Sequence, residues 1–361
     1  MPKKNENLLV TYSEAIRQTM IEEAKNDKSI IFFAQGLTDP TGVFGTLKDI
    51  EKFVEKDRLI EIPVSENGSV GIAIGSAISG MKPIVTFHRV EFALLAMEQI
   101  INNAAKTSFI SGGKENVPIV IRLIIGRGWG QGPNHSQSLE VFFAHIPGLK
   151  VIAPAFPKDA KGMMLSAIRD KNPVIILEHR WCHYLQDKVK SNNYLTPLDG
   201  PKIIKKGKNF TIVCVSYMAL EALVASSFLD KIDISLEIID LRVLRPLKVA
   251  KILKSINKTK FLMTVDLGWK SFGICSEILA TIFSTQNVSL KHPPIRLGMA
   301  EKPTPSSRGL VEGHYPNSID IIREVGKALQ VDKLKLDKII KLAKLSLSPI
   351  DVPNNIFKGP F

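Results

Sequence analysis

Apolar residues in this chain gather into short runs of strand length. Between them lie longer stretches with apolar positions every three or four residues. IIFFAQ at 30–35, the run 59–64, 83–87, PIVIRLII at 118–125, 150–153 and VIILE at 174–178 have the length and β-branched content of buried strands. Helical spacing predicts helices over 9–26, 91–108, 138–144 and 159–169; in the second of these Phe92, Leu95, Met97, Ile100, Ile101 and Ala104 would form the inner face. The same alternation resumes at Phe210 with TIVCVS, SLEIIDL and FLMTVD as strands, helices over 219–229, 248–257 and 273–282, a strand over 295–298 and a closing helix over 318–329. Strand–helix alternation of this kind predicts an α/β fold with doubly wound, mostly parallel sheets. The domains are set at 1–185 and 209–331, with a polar linker over 186–208 and a tail over 332–361. The tail has one lysine-rich helical segment and too few apolar residues for its own core, so it is expected to lie over a neighbour.

One stretch stands apart. IEIPVSENGSVGIAIGSAISG, 60–80, passes from a strand through Ser65, Glu66 and Asn67 into a helix crowded with Gly68, Gly71, Gly75 and Gly80. Each glycine costs a helix roughly 1 kcal/mol relative to alanine. Four together point to a backbone that another backbone or a ligand must approach closely. Glu66 is a lone carboxylate at the strand-to-helix junction, where open α/β sheets place their ligands.

Composition narrows the function classes. At 361 residues with 45% hydrophobic content, the chain can build two cores, and no apolar run reaches the length of a membrane span. The start, MPKKNENLLV, lacks an apolar signal core. Cys182, Cys214 and Cys275 have no metal-ligand spacing. A cytoplasmic protein is the simplest expectation. The net charge of +13 raises nucleic acid as a partner, but the lysines are dispersed or grouped in 202–208 and 333–344 as solvated faces, so neither nucleic acid nor membrane is expected.

The ordered stretches IPVSENGSVGIAIGSAISGMKPI, EQIINNAAKTSFISGG, NHSQSLEVFFAHIPGLKVIAP, DAKGMMLSAIRDKNPVIILE, IDLRVLRPL and TVDLGW carry a resemblance. Over residues 11–329 the chain resembles the beta subunit of the thiamine-diphosphate-dependent 2-oxo acid dehydrogenases. These are the decarboxylating components of pyruvate, branched-chain and acetoin complexes. The resemblance implies a transketolase-like pyrimidine-binding domain followed by a smaller transketolase C-terminal domain. It implies oxidative decarboxylation of a 2-oxo acid and acyl transfer to a lipoyl group.

The resemblance also assigns roles. Glu66 matches the glutamate that engages the coenzyme's aminopyrimidine, and Phe92 an aromatic packed against that ring. His135 matches the active-site histidine; imidazole gains or loses a proton near neutral pH. Ile119, Ala167, Ile168, Asp170 and Asn172 fall on a structural potassium site, oxygen ligands of the kind a hard cation prefers. The Gly-Asp-Gly motif that begins the family's magnesium site is absent from the sequence. Thiamine diphosphate would therefore be shared with an alpha subunit that holds Mg2+, in a heterotetramer of two alpha and two beta chains, with a lipoyl-bearing acyltransferase as a further partner.

His88, Arg89, Arg127 and Trp129, and then His179, Arg180 and Trp181, depart from the pyruvate pattern. If they face the site, they imply a more polar or more anionic substrate; as surface or interface groups they imply nothing. Two rivals stand beside the dehydrogenase reading: a transketolase-like acyl or two-carbon transferase subunit in sugar biosynthesis, and a non-catalytic scaffold. The joint presence of Glu66, Phe92 and His135 argues against the scaffold.

Overall fold

In a computed structural model, residues 7–346 are described apart from 38, 40, 43, 128, 129, 286 and 287, together with 348 and 352. The chain divides into two units. One holds the residues up to Gly126 and Phe142–Leu198; the other holds Arg127–Val141 and the chain from Asp199 on.

The first unit contains β1 (Asn7–Thr11), α1 (Tyr12–Asn26), β2 (Ile30–Ala34), β3 (Leu59–Glu61), α2 (Glu66–Ile78), β4 (Lys82–Phe87), α3 (Val90–Ala93) and α4 (Thr107–Ile110). After these come β5 (Val120–Ile125), α5 (Glu140–Ala144, which begins in the other unit's segment), β6 (Lys150–Ile152), α6 (Pro157–Ile168), β7 (Val174–His179) and β8 (Gln186–Lys190). Strands run in the order β6-β7-β5-β4-β2-β3, every pair parallel. Strands β5 and β7 are buried along their whole length, as expected for a parallel sheet covered on both faces.

The expected helix over 9–26 starts later. Leu9, Val10 and Thr11 belong to β1, which pairs antiparallel with β8. Thr11 ends the strand and caps α1. Its Oγ1 accepts the Glu14 N–H at 3.2 Å, and the Glu14 carboxylate accepts the Thr11 N–H at 2.7 Å.

The long helix expected over 91–108 is broken. It runs as α3, a 3-10 turn at Leu94–Ala96, a π-helical stretch at Gln99–Ala104 and then α4. Its buried positions are Ala93, Ala96, Ile100 and Ala104, while Leu94 and Leu95 face outward and Phe92, Met97 and Ile101 are half-buried. The stretch read as a linker carries structure too: β8 lies within it, and Trp181, Cys182 and His183 just before it are buried.

The second unit contains β9 (Lys202–Lys205), β10 (Phe210–Cys214), α7 (Met218–Leu229), β11 (Leu236–Asp240), β12 (Val243–Arg245) and α8 (Ala250–Thr259). It continues with β13 (Leu262–Trp269), α9 (Ile274–Phe283), β14 (Ile295–Met299), α10 (Ser318–Ala328) and α11 (Lys333–Ser346). Strand order is β14-β13-β10-β11-β9, parallel except for β9 on the edge. The lysine-rich tail helix α11 turns Leu336, Ile339 and Ala343 inward and packs on α7 and α10. Gly326 permits this: a Cβ there would stand 2.5 Å from the Leu336 side chain. Doubly wound sheets, mostly parallel, are thus the architecture of both units.

Candidate functional site

Strand β3 delivers the chain to Ser65, whose backbone is neither helical nor extended (φ −154°, ψ 63°), and α2 begins at Glu66. A carboxylate in the first turn is favoured by the helix dipole, typically by a few tenths to about 1 kcal/mol. Burial works against it. Glu66 is only 2% exposed, and among the described residues its carboxylate makes no hydrogen bond or ion pair. A buried anionic acceptor without a donor is costly unless something supplies one. The site thus has the character of a place prepared for a hydrogen-bond donor from outside the chain.

The glycines beyond Glu66 keep one side of α2 bare. A Cβ on Gly71 would be 3.4 Å from the Gln99 side chain, but one on Gly75 would meet nothing within 4 Å. Ile72 and Ile78 stand exposed on the same helix, and Val64 just before it is 85% exposed. Phe92 lies half-buried on α3 in this unit, and Phe109 on α4 is exposed.

His135 lies in the other unit, on the turn-rich segment Arg127–Val141, and is half-buried. The segment is pressed onto its own unit. The Arg127 guanidinium stacks over the Tyr315 ring at 4.5 Å. Gly132, with φ of +67°, leaves no space for a side chain, since a Cβ would fall 2.4 Å from Ser306 Oγ. Glu66 and Phe92 therefore belong to one body and His135 to the other.

Ala167, Ile168, Asp170 and Asn172 share the turn that ends α6, and the Ile119 carbonyl, accepting the Val174 N–H at 3.0 Å, lies beside the strand that follows. All five belong to the first unit. Helix C-terminal carbonyls favour a cation. The Asp170 carboxylate is already engaged by Lys150 Nζ and by the Asn172 N–H at 2.9 Å. The oxygens offered to a further ion are then the backbone carbonyls, a donor set that fits a monovalent cation. Among the described residues no group of three or more His, Cys, Asp or Glu is arranged to hold a metal.

The sequence reading missed a buried charge network. Arg122 on β5 donates to Glu178 on β7 through Nε at 2.6 Å and Nη2 at 3.0 Å, and to Thr86 Oγ1 at 3.2 Å. His183 Nε2 meets the same carboxylate at 3.0 Å. Burial pushes Glu178 up, but Arg122 and His183 outweigh it and hold the group at about 2. Burial keeps His183 below its usual range despite Glu178. The signal was present as single charges inside the apolar runs VIRLII and VIILEH. Nearby, Arg89 and Arg180, both buried, flank the Phe44 ring at 5.8 and 4.9 Å. His88 is largely buried and packs on Gly36. Of the other departures, Trp181 is buried, His179 Nδ1 accepts its N–H at 3.2 Å, and Trp129 lies outside the described residues.

Two family models match the chain: the transketolase pyrimidine-binding domain over residues 9–182 and the transketolase C-terminal domain over residues 201–320. The mitochondrial pyruvate dehydrogenase E1 component subunit beta of Bos taurus is 37% identical over 90% of this chain and 92% of its own length. The chain belongs to the pyruvate dehydrogenase E1 beta-subunit family. The Homo sapiens member is 35% identical over 90% of this chain and 92% of its own. The pyruvate dehydrogenase E1 component subunit beta of Gracilaria tenuistipitata var. liui is 37% identical over 85% and 95%. Among solved structures, a split-gene transketolase described as an inactive beta4 tetramer matches with a TM-score of 0.72 over 90% of this chain and 99% of its own, at 19% identity. That likeness is one of fold alone.

The E1 beta relatives bear out the dehydrogenase reading over the sugar-transferase and scaffold rivals. The chain is the beta component of a thiamine-diphosphate-dependent 2-oxo acid dehydrogenase. No helix among the described residues is long and apolar enough to cross a membrane.

Proposed function

We propose that this chain supplies the activating half of a thiamine-diphosphate site whose other half comes from an alpha subunit, and that the two-alpha two-beta assembly oxidatively decarboxylates a 2-oxo acid of the pyruvate class. The observation that carries the reading is the buried carboxylate of Glu66, without a hydrogen-bond or ion-pair partner among the described residues, at the start of a glycine-lined helix. Glu66 and Phe92 would hold the coenzyme's pyrimidine ring, and the coenzyme would supply the nucleophilic carbon and electron sink that decarboxylation of a 2-oxo acid needs. Glu66 would accept a hydrogen bond from the ring N–H of the pyrimidine and, in a dry site, favour the imino tautomer, whose exocyclic nitrogen can act as a base. Phe92 packs against that ring. His135 moves a proton during acyl transfer to a lipoyl group carried by an acyltransferase.

The alpha subunit is assigned the diphosphate and Mg2+. Support for such a partner comes from the bare side of α2 around Gly75 and from Val64, Ile72 and Phe109, large apolar side chains that are mostly exposed. Ile119, Ala167, Ile168, Asp170 and Asn172 would hold a structural potassium ion through their carbonyls. Cys182, Cys214 and Cys275 form no disulfide among the described residues, which fits a reducing compartment, the cytoplasm in our reading.

The test is reconstitution with the alpha chain and measurement of 2-oxo-acid-dependent dye reduction. Glu66→Gln is expected to lower kcat by about 10²–10⁴-fold, with thermal unfolding unchanged. Full activity of that variant would remove the role given to Glu66.

A further inference from the structure

The approach to Glu66 gains little from core packing. Strand β3 is three residues long and stands at the edge of its sheet, with β2 as its neighbour. Beyond it Ile62 is buried, but Pro63, Val64 and Ser65 are exposed before Glu66 turns inward. Burial therefore does not fix the path of that turn. Its backbone bonds run from the Ile62 N–H to the Ala34 carbonyl at 3.1 Å and from the Ser65 N–H to the Pro63 carbonyl at 2.7 Å.

Side chains join the turn to the end of β2. Ala34 and Glu61 are register partners on the two strands. Glu61 reaches past that pair: its Oε1 accepts the Gly36 N–H at 2.5 Å and its Oε2 the Leu37 N–H at 2.8 Å. Gln35 Nε2 adds a bond to the Pro63 carbonyl at 3.3 Å. Bonds from N–H groups to a carboxylate are among the strong ones. Gly36 makes the double contact possible, since its φ of +74° lets successive N–H groups face one anion. The loop end of this clamp is anchored. Leu37 is buried, and the His88 ring lies against Gly36, where a Cβ would be 3.1 Å from His88 Cε1. The Glu61 carboxylate thus fastens an exposed turn to an anchored loop on the neighbouring strand.

We propose that Glu61 is a positioning residue for Glu66: by holding both N–H groups of the Gly36–Leu37 turn, it fixes the exposed residues that follow β3 and so the place where α2 begins. The clamp stands on the geometry of the first unit; its consequence for turnover rests on the role of Glu66 proposed above.

Hydrogen exchange in the full chain tests the clamp. Glu61→Ala is expected to raise exchange at residues 36–37 and 62–66 roughly tenfold or more, with the amides of β5 and β7 unmoved. Glu61→Gln keeps one acceptor oxygen and should fall between; it gives the same reading at smaller amplitude if Glu61→Ala fails to fold. In the enzyme reconstituted with the alpha chain, Glu61→Ala should lower kcat about tenfold while the KM for the 2-oxo acid stays within about twofold. Added to Glu66→Gln, it should lower kcat little further, because residues that act through one another are not additive. Wild-type exchange at 62–66 in the Glu61 variants overturns the proposal, as does a full further loss of kcat in the double variant. Exchange that rises while kcat stays at the wild-type level counts against the role of Glu66 and leaves the clamp intact.

Discussion

Arg122, Glu178 and His183 set a price on being inside. An ion pair with no exposure makes little net contribution to stability when intact, but removing one member leaves an uncompensated charge. Arg122→Met is expected to destabilise the chain by about 3–5 kcal/mol in urea unfolding at neutral pH, and the double change with Glu178→Met to recover much of that loss. A loss below about 1 kcal/mol in the single variant would mean that water reaches the pair. The pH dependence has a definite sign. Glu178 lies below its ordinary range in the folded chain, so it contributes stability above that range. This contribution drains away as the pH falls towards about 2, where the folded group finally takes its proton. Glu140 has the opposite sign. Its folded value is raised to about 8, so its contribution is complete below the ordinary carboxylate range and is lost as the pH climbs towards 8.

At the scale of elements, α2 and α1 make separate predictions. Gly75→Leu puts a side chain into open space within this chain and removes a poor helix former. The isolated chain should melt no lower than wild type, by circular dichroism, while co-purification with the alpha subunit is lost. Retained assembly would show that the bare side of α2 is not where the partner comes. Thr11→Ala removes one half of the capping box and should cost about 1 kcal/mol by chemical denaturation. The sequence made the strands legible because buried parallel strands are near-continuous apolar runs, as IIFFA and VIRLII are. It misled in the stretch 91–108 because side-chain size and side-chain burial disagree there. The inward positions are mostly alanines, Leu94 and Leu95 point out, and the π-helical turns rotate the buried face away from regular spacing. The start of α1 was readable in principle, since Thr11 and Glu14 spell a capping box, yet the apolar Leu9 and Val10 before it looked helical and pair instead with β8.

For the whole molecule, the alternation of strands and helices was enough to read two α/β bodies and their family. Glu66 was legible because a single carboxylate stood between a strand and a glycine-rich helix. The structural company of His135 was not. Residue order places 127–141 in the middle of the first body, but its packing on Tyr315 and Ser306 assigns it to the second. No local pattern announces such an exchange, because it depends on contacts with residues more than a hundred positions later.

That borrowed segment governs how the gene could be divided. A shortened product ending at residue 198 would still contain the histidine, but would lack Tyr315 and Ser306, on which its segment packs. The cleavage point that looks natural on paper would therefore yield a fragment with an orphaned loop. Any split enzyme built from this chain must keep both pieces together.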